Sequence, residues 1–205
     1  MKTGIMVAAV AAAAVVIVAA VLIVAAGGPA ERGADSGPDD RQNEVAAPKY
    51  LGTYAKYNVS GKTGLVTVAS GTATIEVIEE TVIDGKTYIK IRCTYDIKSG
   101  SDRYVNVVES GLREIPDGKS ATSVLYDGSD IVGTEKNMKV TVNGRTFRVN
   151  TTIYQGEFSG QPAKMWVGDS DDVVYKIETT VSGASGVASL VGVKLTCTLT
   201  STNMI

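Results

Sequence analysis

Histidine is absent from this 205-residue chain. That single gap excludes histidine-containing triads, histidine general bases and histidine-ligated zinc. Cysteine is nearly absent too: Cys93 and Cys197 are the full complement, too few for a closed thiolate metal site. A basic excess is missing, with 20 Lys and Arg against 22 Asp and Glu, so no electrostatic footprint for nucleic acid exists. Large aromatics are scarce, with one Trp and two Phe beside nine Tyr. After residue 26 no stretch shows a capped apolar period of 3.6, so helices are not expected there. Without a strand–glycine–helix unit, Gly64 and Gly71 do not build a phosphate-binding loop. No catalytic residue and no cofactor is assigned, and the chain reads as non-enzymatic.

What is present begins with one long apolar run, Ile5 to Ala26, without a charged or polar side chain. Its length is about that of a helix crossing the hydrocarbon core, where its backbone groups would be satisfied internally. Lys2 precedes it and no basic residue follows before Arg32, which favours an exported C-terminal part. Three readings compete. The leading one is an uncleaved single-pass anchor. A second is a signal peptide cut after Val24-Ala25-Ala26, although the run exceeds the usual apolar core of such peptides. The third is a pilin-like leader cut after Gly4, which places Ala9 where such leaders usually carry Glu. All three put the remainder outside the cytoplasm. Residues 27–48 are rich in Gly, Pro and acidic side chains and lack aromatics, so they read as a disordered leash. The expected organisation is a cytoplasmic 1–4, a membrane segment 5–26, a linker 27–48 and an extracytoplasmic domain 49–205. No basic cluster follows the membrane segment, so anionic headgroups are not expected to be recognised.

From Tyr50 onward the period becomes two. Ile89, Ile91, Cys93, Tyr95 and Ile97 share one face, and Tyr88, Lys90, Arg92, Thr94 and Asp96 the other. Val191, Val193, Leu195, Cys197 and Leu199 repeat the pattern, as do Val173, Tyr175 and Ile177, and Phe147, Val149 and Ile153. One wet face and one dry face mark antiparallel sheet. Asn143-Gly144 between two such runs is a strong hairpin signal, because both positions must accept positive φ. Asp84-Gly85, Asp117-Gly118, Asp127-Gly128 and the Gly168–Asp171 segment mark further turns, and Ser182–Ser189 reads as a flexible loop. The expectation is an all-β antiparallel meander of roughly ten strands, hiding its edges as a half-barrel, a barrel or a sandwich.

The two cysteines allow a disulfide, Cys93 to Cys197, in an oxidising compartment, or equally two buried thiols. Both fall on the dry face, so a bridge requires their strands to be neighbours or to face each other. Asn58-Val59-Ser60 and Asn150-Thr151-Thr152 are glycosylation sequons whose Asn fall on the wet face. Asp169, Asp171 and Asp172, with Asp127 and Asp130 second, are the best acidic clusters. A Ca²⁺ site on such a loop is one reading, and ordinary turn chemistry is the better one. Glu76, Glu79 and Glu80 read as a solvated strand face. Trp166 reads as core or rim packing beside a turn, with a ligand cavity as the alternative. On a strand Tyr50 and Tyr54 would share one face with Tyr57 opposite, and an exposed contact pair is the lesser reading of them.

The layout YLGTYAKYNVSG near the domain's start, then KMWVGDSDDVVYKIE, then a closing Thr-rich strand, resembles uncharacterised exported β-meander proteins. These are similar in turn to the half-barrels of the lipoprotein-carrier and lipoprotein-sorting (LolA-like) families. The resemblance covers most of Tyr50 to Ile205 and implies a bent sheet around an apolar cavity for acyl chains. It carries no individual binding residue across. The functional expectation is a membrane-anchored extracytoplasmic binding module, with a lipid or other apolar ligand against a curved sheet. The alternative is a cell-envelope structural or adhesive protein whose cavity its own side chains fill.

Overall fold

A computed structural model describes residues 47–158, 161–181 and 192–205. The apolar run 5–26, the leash up to residue 46 and the Ser182–Ser189 loop lie outside the described residues. Among the described residues no helix is long and apolar enough to cross a membrane.

The period-two segments form ten strands in chain order: β1 (Tyr54–Thr63), β2 (Val66–Ile83), β3 (Lys86–Ser99), β4 (Asp102–Glu109), β5 (Arg113–Ile115), β6 (Asp130–Val142), β7 (Arg145–Phe158), β8 (Gln161–Gly168), β9 (Val174–Val181) and β10 (Val193–Thr202). They make one open antiparallel sheet in the order β4-β3-β2-β1-β10-β9-β8-β7-β6, with the short β5 pairing on β3. Two meanders, β1–β4 and β6–β10, thus meet where the first strand pairs with the last. The turns are those that the residues dictate. Asn143 and Gly144 adopt φ of 52° and 75°, and Asp84 and Gly85 adopt 53° and 77°, conformations that suit the twist of two-residue hairpins.

The sheet curls. The tip of the β6–β7 hairpin reaches back to β10, where Asn143 N–H donates to Thr200 O at 2.9 Å and its Nδ2 to Thr202 O at 2.7 Å. The concave face is one continuous apolar core drawn from both meanders, with Tyr57, Ile89, Ile91, Ile97, Met165, Val174, Tyr175 and Leu199 at its centre. Each such side chain contributes about 1.5–3 kcal/mol on burial. The sheet is open, because among the described residues β4 and β6 are not paired to each other, and a closed barrel is thereby excluded.

Two local expectations change. A 3₁₀ turn, η1 (Ala121–Leu125), stands in the connection between β5 and β6, and all five of its residues are buried. One turn is too short to leave a 3.6-residue signature in the sequence. In β7, Phe147 and Val149 pack on the core, but Ile153 lies opposite Trp166 while Tyr154 turns inward opposite Met165. The alternation shifts phase near Asn150, opposite the irregularity of β6 between Glu135 and Met138.

Candidate functional site

The concave face is where a ligand of a bent sheet would lie, and among the described residues a buried apolar cluster occupies it. Its cover is η1. Ser120 caps this turn, its Oγ accepting the Thr122 N–H at 3.2 Å. Thr122 Oγ1 accepts the Val174 N–H at 3.1 Å, so the turn plugs into the first residue of β9. Asp172 holds it from outside: one carboxylate oxygen pairs with Lys119 Nζ at 2.8 Å and the other takes the Ser120 N–H at 3.0 Å. The Asp172 carbonyl accepts Ser120 Oγ at 2.6 Å. The hydrogen bond and charge of Asp172 raise the Lys119 pKa against the opposing effect of its partial burial. Between η1 and strands β1 and β2 remains a recess of ≈ 10 Å³, lined by Thr53, Tyr54, Ala55, Ile75, Val77, Ala121, Thr122 and Met204. That is about the room one water molecule needs.

The acidic turn that suggested Ca²⁺ directs its carboxylates at its own surroundings. Asp171 accepts the Val173 N–H at 3.1 Å and the Tyr175 hydroxyl at 2.7 Å, and Asp169 accepts Thr152 Oγ1 at 2.9 Å. Burial first, then the bond to Asp171, lifts the Tyr175 phenol above its ordinary range. With Asp172 engaged by Lys119 and Ser120, the three carboxylates each bond to partners of their own and do not converge. Among the described residues no group of three His, Cys, Asp or Glu is placed to hold a metal ion. Of the second cluster, Asp127 faces Arg113 at 3.7 Å.

Trp166 is buried but stands apart from the main core, on the sheet's other face. Its Nε1 donates to Glu135 Oε2 at 2.8 Å, and the Lys176 ammonium lies 4.2 Å from the ring centroid. Lys176 also pairs with Glu178 at 2.6 Å, which Lys194 meets at 2.9 Å from β10. This is rim packing extended by charges, not a cavity wall. The tyrosines do not form the exposed contact pair of the lesser reading. Tyr50 precedes β1 and is buried, its hydroxyl donating to Lys119 O at 3.0 Å, while half-buried Tyr54 meets Ser201 Oγ at 3.1 Å. Tyr57 is wholly buried and donates to Val174 O at 2.9 Å.

Cys93 and Cys197 are both free thiols. β2 and β1 lie between their strands, so the two cysteines are not on neighbouring strands. Burial, with a smaller effect of Cys197, pushes the Cys93 pKa up to about 12, and burial alone does the same for Cys197. Asn58 and Asn150 are both exposed. Asn58 sits in β1, between β2 and β10, and Asn150 Oδ1 accepts the Asn137 N–H at 3.0 Å.

Sequence reasoning missed Glu80 and Asn143 as long-range clamps. By sequence Glu80 reads as one of the solvated strand carboxylates, yet it takes three backbone N–H groups from residues 49–51. By sequence Asn143 reads only as a turn residue, yet its side-chain oxygen also accepts the Thr202 N–H at 3.1 Å. Neither role has a local signal, because each partner is 29 residues or more away.

No protein-family model matches this chain, and no curated protein matches it. Among solved structures it is similar to a DUF1329 family protein from Desulfovibrio piger, at 10% identity and a TM-score of 0.25. That match covers 74% of this chain and 84% of the other. A likeness so slight transfers neither residues nor activity.

Proposed function

We propose that this chain is a non-enzymatic extracytoplasmic binding module, tethered through residues 5–26 and the 27–48 leash. It engages a macromolecular partner of the cell envelope on the outside of its curved sheet. The observation that carries this reading is the apolar cluster that occupies the concave face among the described residues. An acyl chain or drug-sized ligand needs a space of about 300 Å³ or more, whereas the recess beneath η1 offers ≈ 10 Å³. The engaged carboxylates and the absence of histidine support a binding role over a catalytic one.

One observation favours a second reading, a lipid-like ligand within the sheet. The recess lies directly beneath η1, a single turn held at its lead-in by Asp172, so an apolar ligand would enter by displacing that turn. Native mass spectrometry of the full-length chain, purified from its own host's membranes, separates the two. A bare mass, or one raised only by glycan, is the expected result. A discrete adduct removed by organic extraction overturns the filled-cavity reading in favour of the second.

A further inference from the structure

The two ends of the sheet are built differently. β6 is broken by irregularities between Ile131 and Gly133 and between Glu135 and Met138, and Asn137 there has a φ of 57°. With Lys136 and Lys139 exposed beside the second irregularity, this edge is blunted against pairing. β4 carries no such irregularity: it pairs with β3 in unbroken register from Asp102 to Glu109 and has no second neighbour among the described residues. It exposes Val105 and Val107, at 61% and 52% of their full surface.

The hydrogen-bonding direction of that edge is fixed. The Ser110 N–H donates to Ile91 O of β3, so even-numbered positions turn their backbone groups inward. Odd positions, Arg103 to Glu109, turn theirs outward. The Val107 N–H accordingly meets no strand and is taken up by the Asn106 side chain at 2.8 Å. A second β4 strand can add antiparallel only in registers that oppose odd positions to odd positions. Three such two-fold registers are centred on the strand. Placing the axis on Val105 sets Arg103 against Val107, and placing it on Val107 sets Glu109 against Val105. With the axis on Asn106, Arg103 faces the partner's Glu109, Val105 faces the partner's Val107, and Tyr104 faces the partner's Val108. Both charged pairs are then opposite in sign and both apolar pairs match, which is the favourable cross-strand arrangement. Arg103 would bridge Asp96, which it already holds at 2.6 Å, and the partner's Glu109.

We propose that β4 is the seat of a second copy of this chain, paired antiparallel about a two-fold axis through Asn106 and continuing the sheet from one protomer to the next. The surface is isologous, so it closes as a dimer. It stands independently of what the module binds.

The test uses the full-length chain in detergent. Asn106 pairs with itself at a non-hydrogen-bonded position, where Cα atoms lie about 4.5 Å apart and a disulfide fits. Asn106→Cys is expected to cross-link at least ~10-fold faster than Ser101→Cys, an exposed position that this register holds ~30 Å from its counterpart. Val107→Pro removes an outward N–H without touching the ladder to β3, as an edge strand tolerates. It is expected to raise the dimer dissociation constant at least ~10-fold in sedimentation equilibrium. A monomeric wild type, equal cross-linking of the two cysteine variants, or a dimer that Val107→Pro leaves unchanged overturns the proposal. So does a monomer whose outward β4 amides, those of Arg103, Val105 and Glu109, resist hydrogen exchange, because another segment or protein then covers the edge. Should Val107→Pro fail to fold by circular dichroism, the cross-linking ratio decides alone.

Discussion

The carboxylate of Glu80 accepts the backbone N–H of Tyr50 at 2.6 Å, across 30 residues of chain. It also takes the N–H groups of Lys49 at 3.0 Å and Leu51 at 2.9 Å. Tyr50 can then bury its ring and reach Lys119, the residue that leads into η1. One strand carboxylate therefore fixes the point where residues 27–48 join the domain and ties that point to the cover of the concave face.

Replacing Glu80 with Ala leaves three N–H groups without their acceptor and is expected to cost about 1–3 kcal/mol, the range for hydrogen bonds to a charged group. Denaturant midpoints measure the loss, and limited proteolysis should show cleavage moving inward past Lys49. Partial burial pushes the Glu80 pKa up, but the three N–H donors and the Lys49 ammonium outweigh it and hold the pKa below its ordinary value. A depressed folded pKa means that the contribution is present above the unfolded value near 4.5 and is lost as pH falls through the folded one. The variant should therefore differ from wild type at pH 7 and converge with it in acid. A constant difference down to pH 2 would remove the ionic account of this clamp.

Gly71 gives the sharpest sign test in the sheet. A glycine inside a strand ordinarily costs about 0.5–1 kcal/mol relative to Ala. Here a Cβ would run into the carbonyl oxygen of Asp96 and crowd Ile97 Cα at 2.7 Å, both backbone atoms of β3. Gly71→Ala is expected to destabilise by about 1–3 kcal/mol, the cost of overpacking. A neutral or stabilising result would mean that β2 and β3 separate freely at this point.

Much of this fold was legible because a strand's face is a local property. Ile89 to Ile97 alternate as they do because every second side chain meets the core, and Asn143-Gly144 bends where only φ > 0 will serve. What was not legible was set at a distance. The pairing of β1 with β10 joins positions such as Val59 and Cys197, and no local pattern encodes it. The phase shift that parts Ile153 from Tyr154 depends on an irregularity in another strand. η1 reads as loop because five residues cannot display a helical period. The candidate site is the least legible part of all, since the cover of the concave face is the segment without a signature.

The cysteine pair allows a direct chemical check. Both thiols sit in the core side of the sheet with pKa values pushed up to about 12 by burial, so little thiolate exists at neutral pH. Neither should react with a thiol reagent at pH 8 in the folded protein. Both should react after unfolding in the absence of reductant. A single reactive thiol, or none, after unfolding would show that the oxidising route took at least one of them.

Asp172 decides whether η1 is a fixed part of the core or a removable cover. Its carboxylate and carbonyl make the contacts to Lys119 and Ser120 that hold the lead-in of the turn, while Thr122 alone anchors the turn to β9. Asp172→Ala should therefore act locally. The amides of Ser123, Tyr126 and Asp127, which bond only within the turn, are expected to exchange roughly tenfold faster or more, the equivalent of one charge-assisted bond lost. Amides of β3 should exchange as before, because the hydrogen bonds and ion pair that Asp172 makes from its carboxylate and carbonyl go to Lys119, Ser120 and Thr122. Binding of an apolar dye or a fatty acid then distinguishes the two functional readings. If η1 covers a latent cavity, loosening it should raise binding, since the energetic barrier to displacing the turn has fallen. If Ala121, Val124 and Leu125 are simply core, opening the turn exposes apolar surface without creating a site, and only stability should fall. The burial of Ile75, Val77 and Val174 favours the second outcome.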